Sequence, residues 1–380
     1  IAATYTASIK RDIFSARARG YGSALKMSLF PDQVPESVYD NLISTVTRML
    51  PALHNYYHLR NKLLNLESSE SYDLSTPLVK NISLKFPYEE ACSLIVDSLT
   101  LLGEEYTSVL RRGLLEERWV DRYENEGKRS GAYQSSCYNN PPFILMNYKE
   151  DTIDTVYTLA HEAGHAMHTY FSSKHQTYQD HDYPIFSAEV ASTFNEQLLS
   201  HYLLNNKLED PQTKAYIINH QIDEILGTLF RQTLFAEFEK SVHEIAECNE
   251  SLTVDVYRSI FGTLLDKYNG PAVKKTPLSD LNGLRIPHFY SAFYVYKYAT
   301  GLSAAISLSE KVISEKTCEG TSARDKYLTF LKSGGSKPPI DTLKDAGVDL
   351  NSPRPIEAAI EKFESLTREL EKNLSALNCA

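Results

Sequence analysis

His161-Glu162-Ala163-Gly164-His165 sits inside a helical pattern that runs from Val156 through Leu159 and Ala163 to Met167. Asp151 or Thr152 can cap the start of that helix. The two histidines stand four residues apart, so both imidazoles lie on one face. That spacing lets two ring nitrogens reach one metal ion at about 2.0 to 2.1 Å. Glu162 lies one step round the helix, beside such an ion rather than on it. A carboxylate there takes a proton from water held at the metal.

Chance supplies this pentapeptide now and then, and a solvated helix with polar residues on one surface would also carry it. The surroundings favour the metal. Leu159, Ala160, Ala163, Gly164 and Ala166 are apolar or small, and two histidines among them are poorly solvated without a ligand. His168 reaches the same face, but a site of this type takes its third ligand from another element. Ser187-Ala188-Glu189-Val190-Ala191-Ser192-Thr193-Phe194-Asn195-Glu196 reads as the start of a second helix, with Ser187 as N-cap and Glu189 in the first turn. By itself Glu189 would serve the helix dipole. Beside the histidine pair it is the expected third ligand, delivered by a loop through Tyr178, Asp180, Asp182, Tyr183 and Pro184 that reverses the chain. Glu196, two turns on, is placed to hydrogen-bond a ligand imidazole.

Composition narrows the setting. The 380 residues carry a net charge of -10, which argues against nucleic acid and against an acidic membrane surface as partners. No run approaches the roughly 18 apolar residues of a membrane span. Cys92, Cys137, Cys248, Cys318 and Cys379 are odd in number and widely spaced, which fits unpaired thiols in a reducing compartment. The first residues show no signal-peptide pattern, and the chain lacks an initiating Met. The expectation is a cytoplasmic protein that is a processed product or a piece of something longer.

Helical periodicity recurs along the chain. Val38, Leu42, Val46, Met49 and Leu50 mark one helix before Pro51. Ile218, Ile222, Ile225 and Leu229 mark another, and Ile356, Ala359, Ile360, Phe363 and Leu366 a last one. Between Arg118 and Tyr148 the reading changes. Gly127, Gly131, Pro141 and Pro142 break helices, and Phe143 to Tyr148 has the length of a strand, so a small β element precedes the histidine helix. Ser333-Gly334-Gly335-Ser336-Lys337-Pro338-Pro339 reads as a surface loop. No linker divides the chain, so residues 1–380 are taken as one region.

These residues carry a resemblance. His161 to His165, followed by Glu189 in Ala188-Glu189-Val190-Ala191-Ser192, resembles the thimet oligopeptidase superfamily of zinc peptidases, and within it oligoendopeptidase F. Gly127-Lys128-Arg129-Ser130-Gly131-Ala132-Tyr133, Pro142 to Tyr148 and Ile286 to Tyr298 extend the likeness, which runs from about Ala16 to Leu370. It implies a mainly α, zincin-like helical catalytic domain with a deep cleft, the small β element lying beside the active site. It also implies a further helical region ahead of Ile1 that helps wall that cleft.

The implied activity is zinc-dependent hydrolysis of internal bonds in short unfolded peptides, with one zinc per chain held by His161, His165 and Glu189. Two neighbouring readings are an exopeptidase removing C-terminal residues or dipeptides, and a chain that binds peptides with little turnover. In the superfamily a His and a Tyr reach the substrate carbonyl. His288 matches the His, and Tyr296 best matches the Tyr. The alignment between them needs a gap, so Tyr294 or Tyr290 is an alternative, and Phe293 stands where some relatives have another Tyr. The Gly127–Tyr133 segment, with Gly131, Ala132 and Tyr133, and the Phe143–Asn147 segment offer backbone groups to an extended substrate as an added strand.

Overall fold

The repeated apolar spacing gives helices over most of the chain. The computed structural model describes residues 1–79, 84–208, 210–315 and 322–378. Val38, Leu42 and Val46 line the buried face of the helix Glu36–Arg48. Pro51 then opens the helix Leu50–Leu64 instead of merely ending the previous one, because its missing N–H falls in a first turn that leaves such groups unbonded anyway. Ile218, Ile222 and Ile225 are buried along Pro211–Ile225, and a π-helical turn at Leu226–Phe230 continues that helix into Arg231–Glu247.

Among the described residues five short strands form two small sheets. β1 (Ser69–Glu70) pairs in parallel with β5 (Val273–Lys274). β2 (Val120–Asp121), β3 (Tyr133–Ser135) and β4 (Phe143–Leu145) form a sheet of order β2-β4-β3. β4 runs parallel to β2 and antiparallel to β3, with Gln134 opposite Ile144. The expected β element is therefore present, and β3 is its edge.

The chain forms two compact units from interleaved segments. Unit 1 contains Ile1–Lys80, Ile218–Thr300 and Asn351–Ala380; unit 2 contains Asn81–Ile217 and Gly301–Leu350. Unit 1 buries an aromatic core that includes Tyr5, Tyr39, Phe238, Phe289 and Phe293. Unit 2 is built round the helices Ile153–His175 and Ile185–Tyr202. Thr152 caps the first by accepting the Asp154 N–H, as the sequence suggests. The second begins earlier than expected, at Ile185 after Pro184, so Ser187 is not its cap and Glu189 lies beyond its first turn.

Gly164 sets how closely these two helices approach. A Cβ at Gly164 would stand 2.5 Å from the Ala191 carbonyl oxygen and 2.6 Å from Ser192 Cα. Both obstacles are backbone, so they cannot turn aside as a flexible side chain would. Overpacking of that kind costs about 1–3 kcal/mol. Hydrogen bonds lock the pair along its length. Asn195 Nδ2 donates to the Ala160 carbonyl at 3.2 Å, and Tyr157 and Ser200 hydroxyls meet at 2.8 Å.

Ser333–Pro339 is less of a surface loop than its composition suggests. Gly334 is buried, and a Cβ there would lie 2.4 Å from the Asp180 carbonyl oxygen. Gly335 donates its N–H to that carbonyl at 2.8 Å. The glycine pair thus clamps the turn that joins the two central helices. Cys92, Cys137 and Cys248 are free thiols, while Cys318 and Cys379 lie outside the described residues. Among the described residues no helix is long and apolar enough to cross a membrane.

Candidate active site

The helix pair brings together the three residues that the sequence singles out as ligands. His161, His165 and Glu189 each offer one atom, and these atoms all lie within 4.8 Å of one another. Glu189 Oε2 is 3.5 Å from His161 Nε2 and 3.9 Å from His165 Nε2. A tetrahedral ion about 2 Å from each ligand holds them roughly 3.3 Å apart, so small side-chain adjustments close the set on one ion. Two imidazoles and a carboxylate are a donor set of catalytic zinc, with a fourth position left for water. His161, His165 and Glu189 form a candidate zinc site, and among the described residues no other group of this type occurs.

Each ligand is held from behind. His161 Nδ1 is 2.6 Å from Glu196 Oε1. A carboxylate only accepts, so Nδ1 carries the proton and Nε2 keeps its lone pair for a metal. The ring of His165 donates to the Ala188 carbonyl. Burial, then His161 and His168, hold its pKa well below the ordinary imidazole range, which keeps it neutral. Neutral imidazole is the metal-binding form. The Ser192 hydroxyl donates to Glu189 Oε2 at 3.3 Å. Gly301 brings another helix against Glu189, where a Cβ would lie 3.1 Å from Glu189 Cβ. His168 is not a ligand. Its ring stacks on Tyr183 at 3.6 Å and packs against Phe330, and burial drops its pKa to about 3.

Glu162 is 6% exposed. Burial pushes its carboxyl up to about 6; His161 and a hydrogen bond from the Gln134 N–H oppose that rise, and Glu189 adds to it. Glu162 Oε2 is buried without a hydrogen-bond partner among the described residues. Gln134 lies in β3, so the edge strand and the catalytic helix meet at this carboxyl. That contact was not foreseen from the sequence; alternation within a three-residue strand is too short to show which way its edge faces.

The stretch leading into β3 is tied from two sides. Lys128 Nζ donates to the Asp121 and Tyr123 carbonyls at 3.1 and 2.7 Å. Asn147 Nδ2 donates to the Arg129 and Gly131 carbonyls, both at 3.0 Å. Gly131 has a φ of 90°, a conformation that glycine adopts freely. Ala132 is half-buried, and Tyr133 is 52% exposed.

The aromatic segment lies in unit 1 and departs from expectation. Tyr296, the best sequence match for a carbonyl donor, is 0% exposed, with its ring 5.1 Å from that of Tyr39. It is the first residue of the helix Tyr296–Ser314, and its ring turns into the core of unit 1. His288 instead stacks on Tyr294 at 5.7 Å and meets Tyr298 edge-on at 5.9 Å. His288 is exposed, and Tyr294 and Tyr298 are half-buried. Tyr290 packs against Tyr5 at 5.9 Å. Tyr298 was not singled out from the sequence, although its spacing from Tyr294, four residues, is that of one helical turn.

Removing a ligand and removing its support should differ measurably. Glu189→Ala is expected to lose most zinc on dialysis, and Glu196→Gln to weaken zinc affinity by about 10–100-fold while still binding it. Metal analysis with a competing chelator separates the two. Full zinc occupancy in Glu189→Ala would remove Glu189 from the ligand set.

Comparison with known proteins places this geometry. Over 374 residues the chain is 48% identical to oligopeptidase PepF of Bacillus subtilis, covering 98% of this chain and 55% of that protein. It is 47% identical to an oligoendopeptidase F homologue of Borreliella burgdorferi, covering 96% of this chain and 61% of the other. The crystal structure of oligoendopeptidase-F from Enterococcus faecium superposes with a TM-score of 0.77 at 36% identity, covering 99% of this chain and 60% of that one. The chain therefore spans somewhat over half the length of these relatives. A profile of peptidase family M3 matches residues 3–362. With candidate metal ligands on two packed helices and this match along nearly all its length, the chain belongs to peptidase family M3.

Proposed function

We propose that this chain carries the catalytic machinery of a zinc-dependent endopeptidase that hydrolyses internal bonds of short, unfolded peptides. The observation that carries the reading is the placement of Glu162. A buried carboxyl with one unpartnered oxygen adjoins a three-ligand metal site. The names of the relatives, an oligopeptidase and an oligoendopeptidase F homologue, support peptides as the substrate class.

Zinc supplies Lewis acidity, lowering the pKa of water and polarising a carbonyl. The chain's own residues do the rest. Glu162 takes the proton of the attacking water and later passes it to the leaving amine. Its raised pKa suits both halves of that shuttle. β3 lies at the edge of its sheet, and an extended peptide binds along it as an added strand through main-chain groups other than the Gln134 N–H, which Glu162 holds. A cavity of about 580 Å³ beside Ser130, Gly131, Ala132 and Thr158 gives space for substrate side chains on that side. His288, Tyr294 and Tyr298 supply hydrogen-bond donors to the oxyanion. Tyr298 takes the role that the sequence match gives to Tyr296, because a donor must be accessible and Tyr296 is not. Tyr290 belongs to the same stretch and serves at most as a flanking substrate contact. The reading includes a cytoplasmic setting, supported by the free thiols of Cys92, Cys137 and Cys248.

Glu162→Gln is expected to keep its zinc and to cleave an end-blocked fluorogenic peptide about 10²–10⁴-fold more slowly than the parent chain. A rate near that of the parent would remove Glu162 as the base. Cleavage confined to peptides with a free C-terminus would shift the reading to a carboxypeptidase. Tyr298→Phe should lower kcat by about 10²–10³-fold, the effect of losing one oxyanion donor. Tyr296→Phe should lower it far less, and the opposite order would return the role to Tyr296.

A further inference from the structure

Hydrolysis as described leaves a group of buried polar side chains in unit 1 unused. Tyr5 and Asp12 come from the helix Ala2–Ala18, Glu239 and His243 from Arg231–Glu247. Glu239 is 0% exposed and His243 2%. His243 Nε2 lies 3.9 Å from Asp12 Oδ2, and Nδ1 of the same ring donates to the Glu239 carbonyl at 2.8 Å. A carboxyl so deeply buried is costly unless it is neutral and hydrogen-bonded. Burial, with Asp12 adding to it, raises the Glu239 pKa well above the usual carboxyl range and favours the neutral acid.

Glu239 has one defined partner. Its Oε1 accepts the backbone N–H of Phe293 at 2.7 Å. Phe293 has a φ of 56°, a left-handed conformation that is unfavourable for a bulky side chain. Such a residue persists where its surroundings over-determine it. Here the ring is fixed too, 5.8 Å from Tyr39 and 4.5 Å from His243. Flanking bonds hold the neighbouring residues, from the Ser28 hydroxyl to the Ala292 carbonyl at 2.7 Å and from Lys297 to Asp32 at 2.6 Å.

The left-handed residue stands between the 3-10 turn Pro287–Tyr290 and the helix that starts at Tyr296. The reversal there folds His288 back onto Tyr294 and Tyr298. We infer that Glu239 is a positioning residue for the oxyanion donors: by accepting the Phe293 N–H it fixes the left-handed turn that gathers His288, Tyr294 and Tyr298. This rests on the reading of those three side chains as substrate-facing. Glu239 itself contacts neither substrate nor zinc. Its length and its acceptor oxygen matter, and its charge does not.

Hydrogen exchange read by mass spectrometry on the zinc-loaded 380-residue chain tests this without relying on turnover. The Phe293 amide should be protected although it lies outside regular structure, and fast exchange there in the unaltered chain overturns the inference. Glu239→Gln keeps an acceptor of the same shape and should match the parent. Glu239→Met fills similar volume without an acceptor and should exchange about tenfold faster across 291–296, the factor that one net hydrogen bond supplies. Protection in Ile153–His175 and zinc content should stay unchanged. Peptide cleavage forms the second arm. Glu239→Met should lower kcat about tenfold with KM little changed, and that loss should shrink in a Tyr298→Phe background. Unchanged exchange in Glu239→Met, or equal losses in the Gln and Met variants, overturns the role of Glu239. Faster exchange with parental turnover also overturns it, and traces the fault to the donor reading instead.

Discussion

The contact between Gly164 and the backbone of Ala191 and Ser192 governs the metal site. It lets two helices of unit 2 approach so closely that ligands from each meet over one ion. Glu189 lies two residues before Ala191, and the histidines flank Gly164 within its own helix. A wider crossing would carry Glu189 away from both imidazoles. The same approach aligns Glu196 with His161 Nδ1 and Asn195 with the Ala160 carbonyl, so ligand geometry and helix packing are specified together. The glycine of the HEAGH run is thus as much a part of the site as the histidines, although it bears no chemistry.

Burial then gives these residues their reactivity. His165 is kept neutral by the apolar helix interface, and Glu162 is driven up to about 6 by the same cause. The environment that disfavours charge on an imidazole favours a lone pair for zinc, and it tunes the neighbouring carboxyl to exchange protons near neutral pH. β3 completes the arrangement by bringing a main-chain donor to Glu162 from a sheet edge. In unit 1 a second burial effect serves a different end. Glu239 is forced toward its neutral form, and in that form it still holds a strained turn by one hydrogen bond.

Much of the zinc site was legible because its signals are local. The spacing of His161 and His165, the apolar residues round them and the acidic residues of the next helix follow from helical periodicity alone. Thr152 as a cap and Phe143–Leu145 as a strand are equally local. Ser187 misled because Pro184 can start a helix without a side-chain cap. The burial of Tyr296 was not legible for a deeper reason. Which of four tyrosines faces outward depends on the left-handed turn at Phe293, and nothing in Ala292-Phe293-Tyr294 announces a residue of that conformation. The turn is hydrogen-bonded to Glu239, more than fifty residues earlier in the chain. The two compact units were hidden for a similar reason. Each is assembled from separated segments, so no single linker marks where one ends.

The proposed peptidase activity depends on one zinc held by His161, His165 and Glu189. The direct measurement is cleavage of a short end-blocked fluorogenic peptide by chain stripped of metal and then titrated with zinc. No cleavage is expected in the stripped chain, with recovery that rises linearly and saturates at one zinc per chain. Undiminished cleavage by metal-free chain, or full zinc loading at that stoichiometry without any cleavage, would contradict the proposal.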